Sequence, residues 1–97
     1  MKDSNEQSLG DAIREFLRAS GMEEKVMETE IYGRWEELAG KAINLKTKRL
    51  RLDKGKLTVY LTSSVLRNEL NLRRGELLER INARLLPRIS LKAIEFR

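Results

Sequence analysis

The residues with the clearest chemical promise are cations, and they gather late in the chain. Lys46, Lys48, Arg49, Arg51 and Lys56 follow one another closely, with Tyr60 just beyond. Arg73, Arg74, Arg80 and Arg84 form a second group, extended by Arg88. Ammonium and guanidinium groups neutralise phosphates and release counterions, and an aromatic ring stacks on bases. This mixture is the chemistry of nucleic-acid binding. The same residues also suit a plain solvated sheet face whose lysines block strand pairing, or arginines lying over apolar surface. Their concentration favours the binding reading.

Charge is divided along the chain. Residues 1–40 hold five bases against ten acids, a net of −5, whereas residues 41–97 hold fifteen bases against five acids, a net of +10. Such asymmetry marks the second part as an interaction footprint.

Other chemistries find little support. The chain has no histidine and no cysteine, so disulfides are excluded and nucleophile–base pairs lack their usual members. Neither a Walker loop nor a Gly-x-Gly-x-x-Gly run occurs. Glu24 and Glu28, four apart, share a helix face where a hard cation is conceivable, but a solvated acidic face is the far better account and no metal site is assigned. No cofactor is implied. The polar start of the chain, Met1–Gln7, is expected to be flexible and lacks an apolar signal region. No stretch is long enough to span a bilayer. These features point to a cytoplasmic, non-enzymatic protein without a membrane partner.

The elements that must position the cations are legible from periodicity. Leu9, Ile13, Phe16 and Leu17 define one face of a helix, with Ser8 as its cap and Gly21 as its stop. Met22, Val26, Ile31, Trp35, Leu38 and Ala39 form a second apolar set that ends at Gly40, and Gly33 marks a kink or close packing. The spacing of Trp35 with Ile31 and Leu38 places the indole in the core rather than at a stacking site.

After Gly40 the period changes to two. Leu50 and Leu52 oppose Thr47, Arg49 and Arg51. Leu57, Val59 and Leu61 alternate with Lys56, Thr58, Tyr60 and Thr62. Asp53-Lys54-Gly55 is the turn, with Gly55 at positive φ. This predicts an antiparallel hairpin with one apolar and one basic face. Ser63 or Ser64 caps the next helix. Leu66, Leu70, Leu77, Ile81 and Leu85 share its stripe, but Arg74 falls within that stripe and burying it is costly. Two helices are therefore expected, broken around Asn71–Gly75, the second beginning near Glu76 and closed by Pro87. Backbone N–H groups at that start, beside Arg73 and Arg74, could help hold a phosphate. Asn82 is assigned a structural or local backbone bond. Ile89, Leu91, Ile94 and Phe96 make a last strand, irregular near Ala93, that joins the hairpin in parallel. The expected fold is a single two-layer α+β domain over residues 8–97, in the order α-α-β-β-α-α-β, with a three-stranded mixed sheet covered by helices on one face.

The run Trp35-Glu36-Glu37-Leu38-Ala39-Gly40-Lys41-Ala42-Ile43 resembles the Trp-x-x-apolar-apolar-Gly-x-x-Ile signature of DciA-like proteins. Leu50–Val59 resembles that family's strand, Asp-x-Gly turn and Leu-x-Val strand. Ser63-Ser64 with Glu69-Leu70, then Glu76-Leu77-Leu78 with Ile81-Asn82, resemble its paired helices. The resemblance implies a fold similar to the K-homology domain and a role beside the bacterial replicative helicase, aiding its loading on DNA. K-homology domains clamp nucleic acid with a Gly-x-x-Gly loop; here Leu72-Arg73-Arg74-Gly75-Glu76 supplies one glycine. Two further readings stand beside DNA binding: an adaptor that docks on a replication protein through acidic helices or an exposed apolar patch, and an RNA-binding module.

Overall fold

In the computed structural model, which describes residues 2–85 and 89–97, helices lead into a hairpin, a helix pair and a last strand. The order is α1 (Lys2–Ser20), α2 (Glu23–Gly33), α3 (Trp35–Ala39), α4 (Lys41–Lys46), β1 (Thr47–Asp53), β2 (Lys56–Leu61), α5 (Ser64–Leu72), α6 (Arg74–Arg84) and β3 (Ala93–Phe96). The strands lie in the order β1-β2-β3. β1 and β2 are antiparallel, and β3 joins β2 in parallel after the crossover through α5 and α6. This is the expected two-layer α+β arrangement with a mixed sheet.

The sheet follows directly from alternation. Leu57, Val59 and Leu61 face the helical layer and are buried, as are Ile94 and Phe96 of β3. They pack against Ile31, Trp35, Leu38, Leu77 and Ile81 from the helices. Losing a fully buried aliphatic side chain of this kind destabilises a domain by roughly 2–5 kcal/mol. Between β1 and β2, Lys54 and Gly55 both have positive φ, 50° and 83°. That is the two-residue turn whose twist matches a hairpin. Gly55 is held further by its N–H, which donates to Glu24 Oε1 at 2.8 Å. Glu24 is thus spent on the turn, and among the described residues no metal-binding group of His, Cys, Asp and Glu occurs.

Both outer sheet edges are closed by side chains. The Tyr32 hydroxyl donates to the Leu50 carbonyl (3.1 Å) and accepts the Leu52 N–H (3.2 Å), sealing β1. On the far side, the Asn71 amide donates to the Phe96 carbonyl (2.9 Å) and accepts the Phe96 N–H (3.0 Å). Asn82 treats Leu91 the same way, at 3.1 and 2.7 Å. Asn82 is therefore structural, as its sequence context indicated. Asn71 stands in for a neighbouring strand beside β3, Asn82 does the same for the loop before it, and both satisfy backbone groups that would otherwise be stranded.

Several local expectations are corrected. α1 begins at Lys2, so Ser8 lies inside the helix and does not start it. Of the stripe on α1 only Leu17 is buried; Leu9, Ile13 and Phe16 are 64%, 48% and 68% exposed. The helix packs chiefly on α2 near its carboxyl end, where the Leu17 carbonyl receives the Met22 N–H. The second apolar set is divided at Arg34 and Gly40 into α2, α3 and α4. α4 was not foreseen: the period of two starts at Thr47, and Lys46 ends a helix. Ser63 is the cap of α5, its hydroxyl accepting the Leu66 N–H at 3.1 Å. The break in the helix pair is the single residue Arg73, so α6 starts at Arg74 and Gly75 lies in its first turn. The last strand is shorter than expected: Ile89 and Leu91 are buried but precede β3. Pro87 and Arg88 lie outside the described residues.

Candidate nucleic-acid interface

The pleat that buries Leu57, Val59 and Leu61 turns Lys56, Thr58 and Tyr60 to the other face. Cross-strand register sets their neighbours. Arg49 lies opposite Tyr60, and Arg51 opposite Thr58. On the parallel side, Glu95 lies beside Thr58. The Arg97 N–H donates to the Val59 carbonyl at 2.9 Å, and the Arg97 carbonyl accepts the Leu61 N–H at 3.3 Å. Tyr60 is therefore flanked by Arg49 on one strand and Arg97 on the other.

These neighbours divide into two electrostatic groups. Glu95 is held by Lys56 Nζ at 2.8 Å and Arg97 Nε at 3.0 Å. Contact first with Lys56 and then with Arg97 lowers the Glu95 carboxyl below its usual pKa. The other group is Arg49, Arg51 and Tyr60. The Arg49 guanidinium carbon sits 4.4 Å from the centroid of the Tyr60 ring, a cation–π distance. The phenol is held below its usual pKa; the contact with Arg49 is the largest cause, partial burial opposes it, and Arg51 adds to it. Arg49 and Arg51 are both exposed, and among the described residues neither has a carboxylate partner.

Lys48 and Lys46 stand at the rim of this face. The β1–β2 register shifts between Thr47 and Arg49, so Lys48 occupies an irregularity and is exposed. Lys46 is exposed at the end of α4, its carbonyl accepting the Thr62 N–H at 2.9 Å. The sheet thus brings Arg49, Arg51, Lys56 and Tyr60 to one face, as the alternation predicted. Lys46 is placed by the end of α4 and Lys48 by the irregularity, and Thr47, expected beside Arg49, instead pairs with buried Leu61 and meets the Trp35 indole.

The second group of expected cations is placed elsewhere, in the helical layer behind the sheet. Arg73 and Arg74 are exposed at the α5–α6 junction. Arg73 and Arg80 line a cavity of about 280 Å³ that also includes Ile43, Leu77 and the carboxylate-bearing Glu76. Arg80 and Arg84 have a structural task. Arg80 donates to the Ala39 carbonyl at 3.2 Å, and Arg84 to the Leu38 carbonyl at 3.3 Å. The two guanidiniums close the carboxyl end of the short helix α3, whose last carbonyls have no partner within the helix. Arg34 joins them through its bond to the Arg84 carbonyl at 3.2 Å, and Glu30 and Glu37 hold Arg34 in place. Trp35 is buried, with its Nε1–H donating to Thr47 Oγ1 at 3.0 Å; it is a core residue.

Arg97 is the site residue that sequence reasoning missed. Its signal was present: Ile94 in, Glu95 out, Phe96 in and Arg97 out continue the period of two. What alternation cannot supply is the strand order that sets Arg97 next to Tyr60.

The described helices include none long and apolar enough to cross a membrane. A search of curated proteins found no match for the chain. Residues 8–96 match the family described as Dna[CI] antecedent, DciA. That match takes in nearly the whole chain, including every element from the body of α1 to β3, and the protein belongs to the DciA family, which is associated with the replicative helicase in DNA replication.

Proposed function

We propose that this chain is a non-enzymatic, cytoplasmic DNA-binding domain that assists the replicative helicase, and that the open face of its sheet is the binding surface. One observation carries the reading. Arg49 and Arg51 stand exposed on an otherwise structured sheet face, with no carboxylate partner among the described residues. Guanidiniums left without counter-charges on a rigid face are ready to replace the counterions of a phosphate backbone. Lys46 and Lys48 extend that charge along the rim. Arg73 and Arg74 offer a second, smaller contact from the helical layer. Arg80 and Arg84 position α3 through neutral carbonyls, and their charges still add to the positive field.

The test is a fluorescence-anisotropy titration with labelled single-stranded DNA, double-stranded DNA and RNA, each at two salt concentrations. DNA binding that weakens steeply with salt supports the reading. Equal affinity at both salts, or binding to RNA alone, overturns it.

A second reading has its own observation. Leu9, Ile13 and Phe16 form an exposed apolar stripe on α1, far from the basic face in charge character. Such a stripe suits docking on a protein partner, here the helicase. Capture of purified helicase by a variant with Arg49→Glu and Arg51→Glu separates the two surfaces. Retained capture assigns the protein contact away from the sheet face.

A further inference from the structure

Resting on the reading of the sheet face as a nucleic-acid surface, we propose that Arg51, Arg97 and the Tyr60 hydroxyl form a phosphodiester subsite, and that Tyr60 is a hydrogen-bond donor there, not a base-stacking platform.

The argument starts from the tyrosine ring. A stacking aromatic must present a free π-face to a base. Tyr60 lies on the central strand, is only partly exposed, and has Arg49 seated over its ring at 4.4 Å. A base would have to displace that guanidinium and lose the cation–π contact. What the ring leaves accessible is its polar end.

The surroundings of that end suit an anion. Register sets Arg49 and Arg51 on the β1 side, and backbone bonding sets Arg97 on the β3 side. Glu95 engages Arg97 through Nε, at 3.0 Å. An arginine has five N–H donors in a planar fork, so that bond fixes the side chain and leaves its terminal nitrogens for a ligand. Arg51 has no carboxylate partner among the described residues. The hydroxyl can accept from a guanidinium while its own proton points outward, and the cations around it strengthen it as a donor, in keeping with its lowered pKa. A phosphodiester, with one negative charge shared by two non-bridging oxygens and no proton to give, complements guanidinium donors and one hydroxyl proton. Of the carboxylates on this face, Glu95 is already matched by Lys56 and Arg97, and Asp53 stands at the hairpin turn, two residues beyond Arg51.

Contact through phosphate alone carries no sequence information. A strand without bases should therefore bind almost as well as one with them. The experiment compares oligothymidine with an abasic phosphodiester strand of the same length, using the parent chain and the variants Tyr60→Phe and Arg97→Ala. Circular dichroism confirms that each variant is folded. The expected result has four parts. The abasic strand binds within about threefold of oligothymidine. Tyr60→Phe weakens both strands equally, by roughly ten- to a hundredfold, the worth of one hydrogen bond to a charged group. Arg97→Ala lowers the salt slope on single strands by about 0.7. Oligothymidine itself binds the parent in a salt-dependent way. If the abasic strand binds tenfold or more weakly while Tyr60→Phe matches the parent, bases stack on the ring and the subsite is refuted, although the surface stands. If neither strand binds the parent, the surface itself falls, and the subsite with it.

Discussion

Charge reversal at Arg49 and Arg51 gives the sharpest measure of the sheet face. Both residues are exposed on β1, two positions apart, so their side chains lie on the same side of the strand. A strand rises about 3.3 Å per residue, so the two Cα atoms are roughly 6.6 Å apart. This is close to the spacing of successive phosphates along a nucleic-acid strand, and each guanidinium can serve its own phosphate. On duplex DNA each contact adds about 0.9 to the slope of log affinity against log salt. Replacing both arginines should lower that slope by about 1.8. Relative to 1 M salt, the lost counterion release at 0.1 M amounts to roughly 60-fold in affinity, and about 25-fold on a single strand, where the coefficient is about 0.7. The introduced carboxylates add repulsion, so these are lower bounds. Anisotropy titrations from 50 to 300 mM salt, parent beside Arg49→Glu/Arg51→Glu, read both quantities. Neither side chain is buried, so the variant should keep its far-ultraviolet spectrum, with stability lowered by no more than the lost cation–π contact of Arg49, about 0.5–1 kcal/mol. A variant whose slope equals the parent's refutes the assignment of phosphates to this face, whatever its absolute affinity.

Further expectations concern the scaffold that holds this face. Asn71→Ala and Asn82→Ala each strand one backbone N–H and one carbonyl, and each should lose about 1–3 kcal/mol in urea unfolding; a loss below about 0.5 kcal/mol would mean that water replaces the amide. Phe16→Ser should change stability by less than about 0.5 kcal/mol, because the ring is exposed. Leu17→Ala should lose roughly 2 kcal/mol, since Leu17 alone of that stripe is buried; equal losses would show that the stripe is covered. The Glu95 carboxyl has a lowered pKa, so the stability it contributes is present above the ordinary glutamate range of ~4.3 and is lost as pH falls through its lower folded value. Urea midpoints of Glu95→Gln should therefore fall less steeply with acid than the parent's, and parallel curves would contradict the ion pairs.

Much of the fold was legible because it is local. The hairpin rests on strict alternation in β2 and on a turn that needs positive φ at Gly55, and both appear as predicted. The core position of Trp35 follows from its spacing. Arg74 within the apolar stripe of the helix pair forced a break there, since a continuous helix would bury its charge. What stayed hidden depends on partners distant in sequence. The α1 stripe has the period of a buried helix face, but among the described residues Leu9, Ile13 and Phe16 stay exposed. Arg80 and Arg84 read as surface charge until α6 meets the end of α3, whose carbonyls need donors.

The sequence by itself determined which side of the hairpin is basic, because side-chain direction alternates along β2 and from Arg49 to Asp53; the irregularity between Thr47 and Arg49 is the exception that only the structure revealed. It also determined where the chain turns, because glycine tolerates φ values that other residues resist. Only the tertiary structure decided which cations share a face. Long, flexible arginines are directed by whatever carbonyls, carboxylates and rings lie within reach, and those neighbours are chosen by strand order and helix packing. The pairing of β3 with β2 put Arg97 beside Tyr60, and the packing of α6 on α3 drew Arg80 and Arg84 to the carbonyls of another helix.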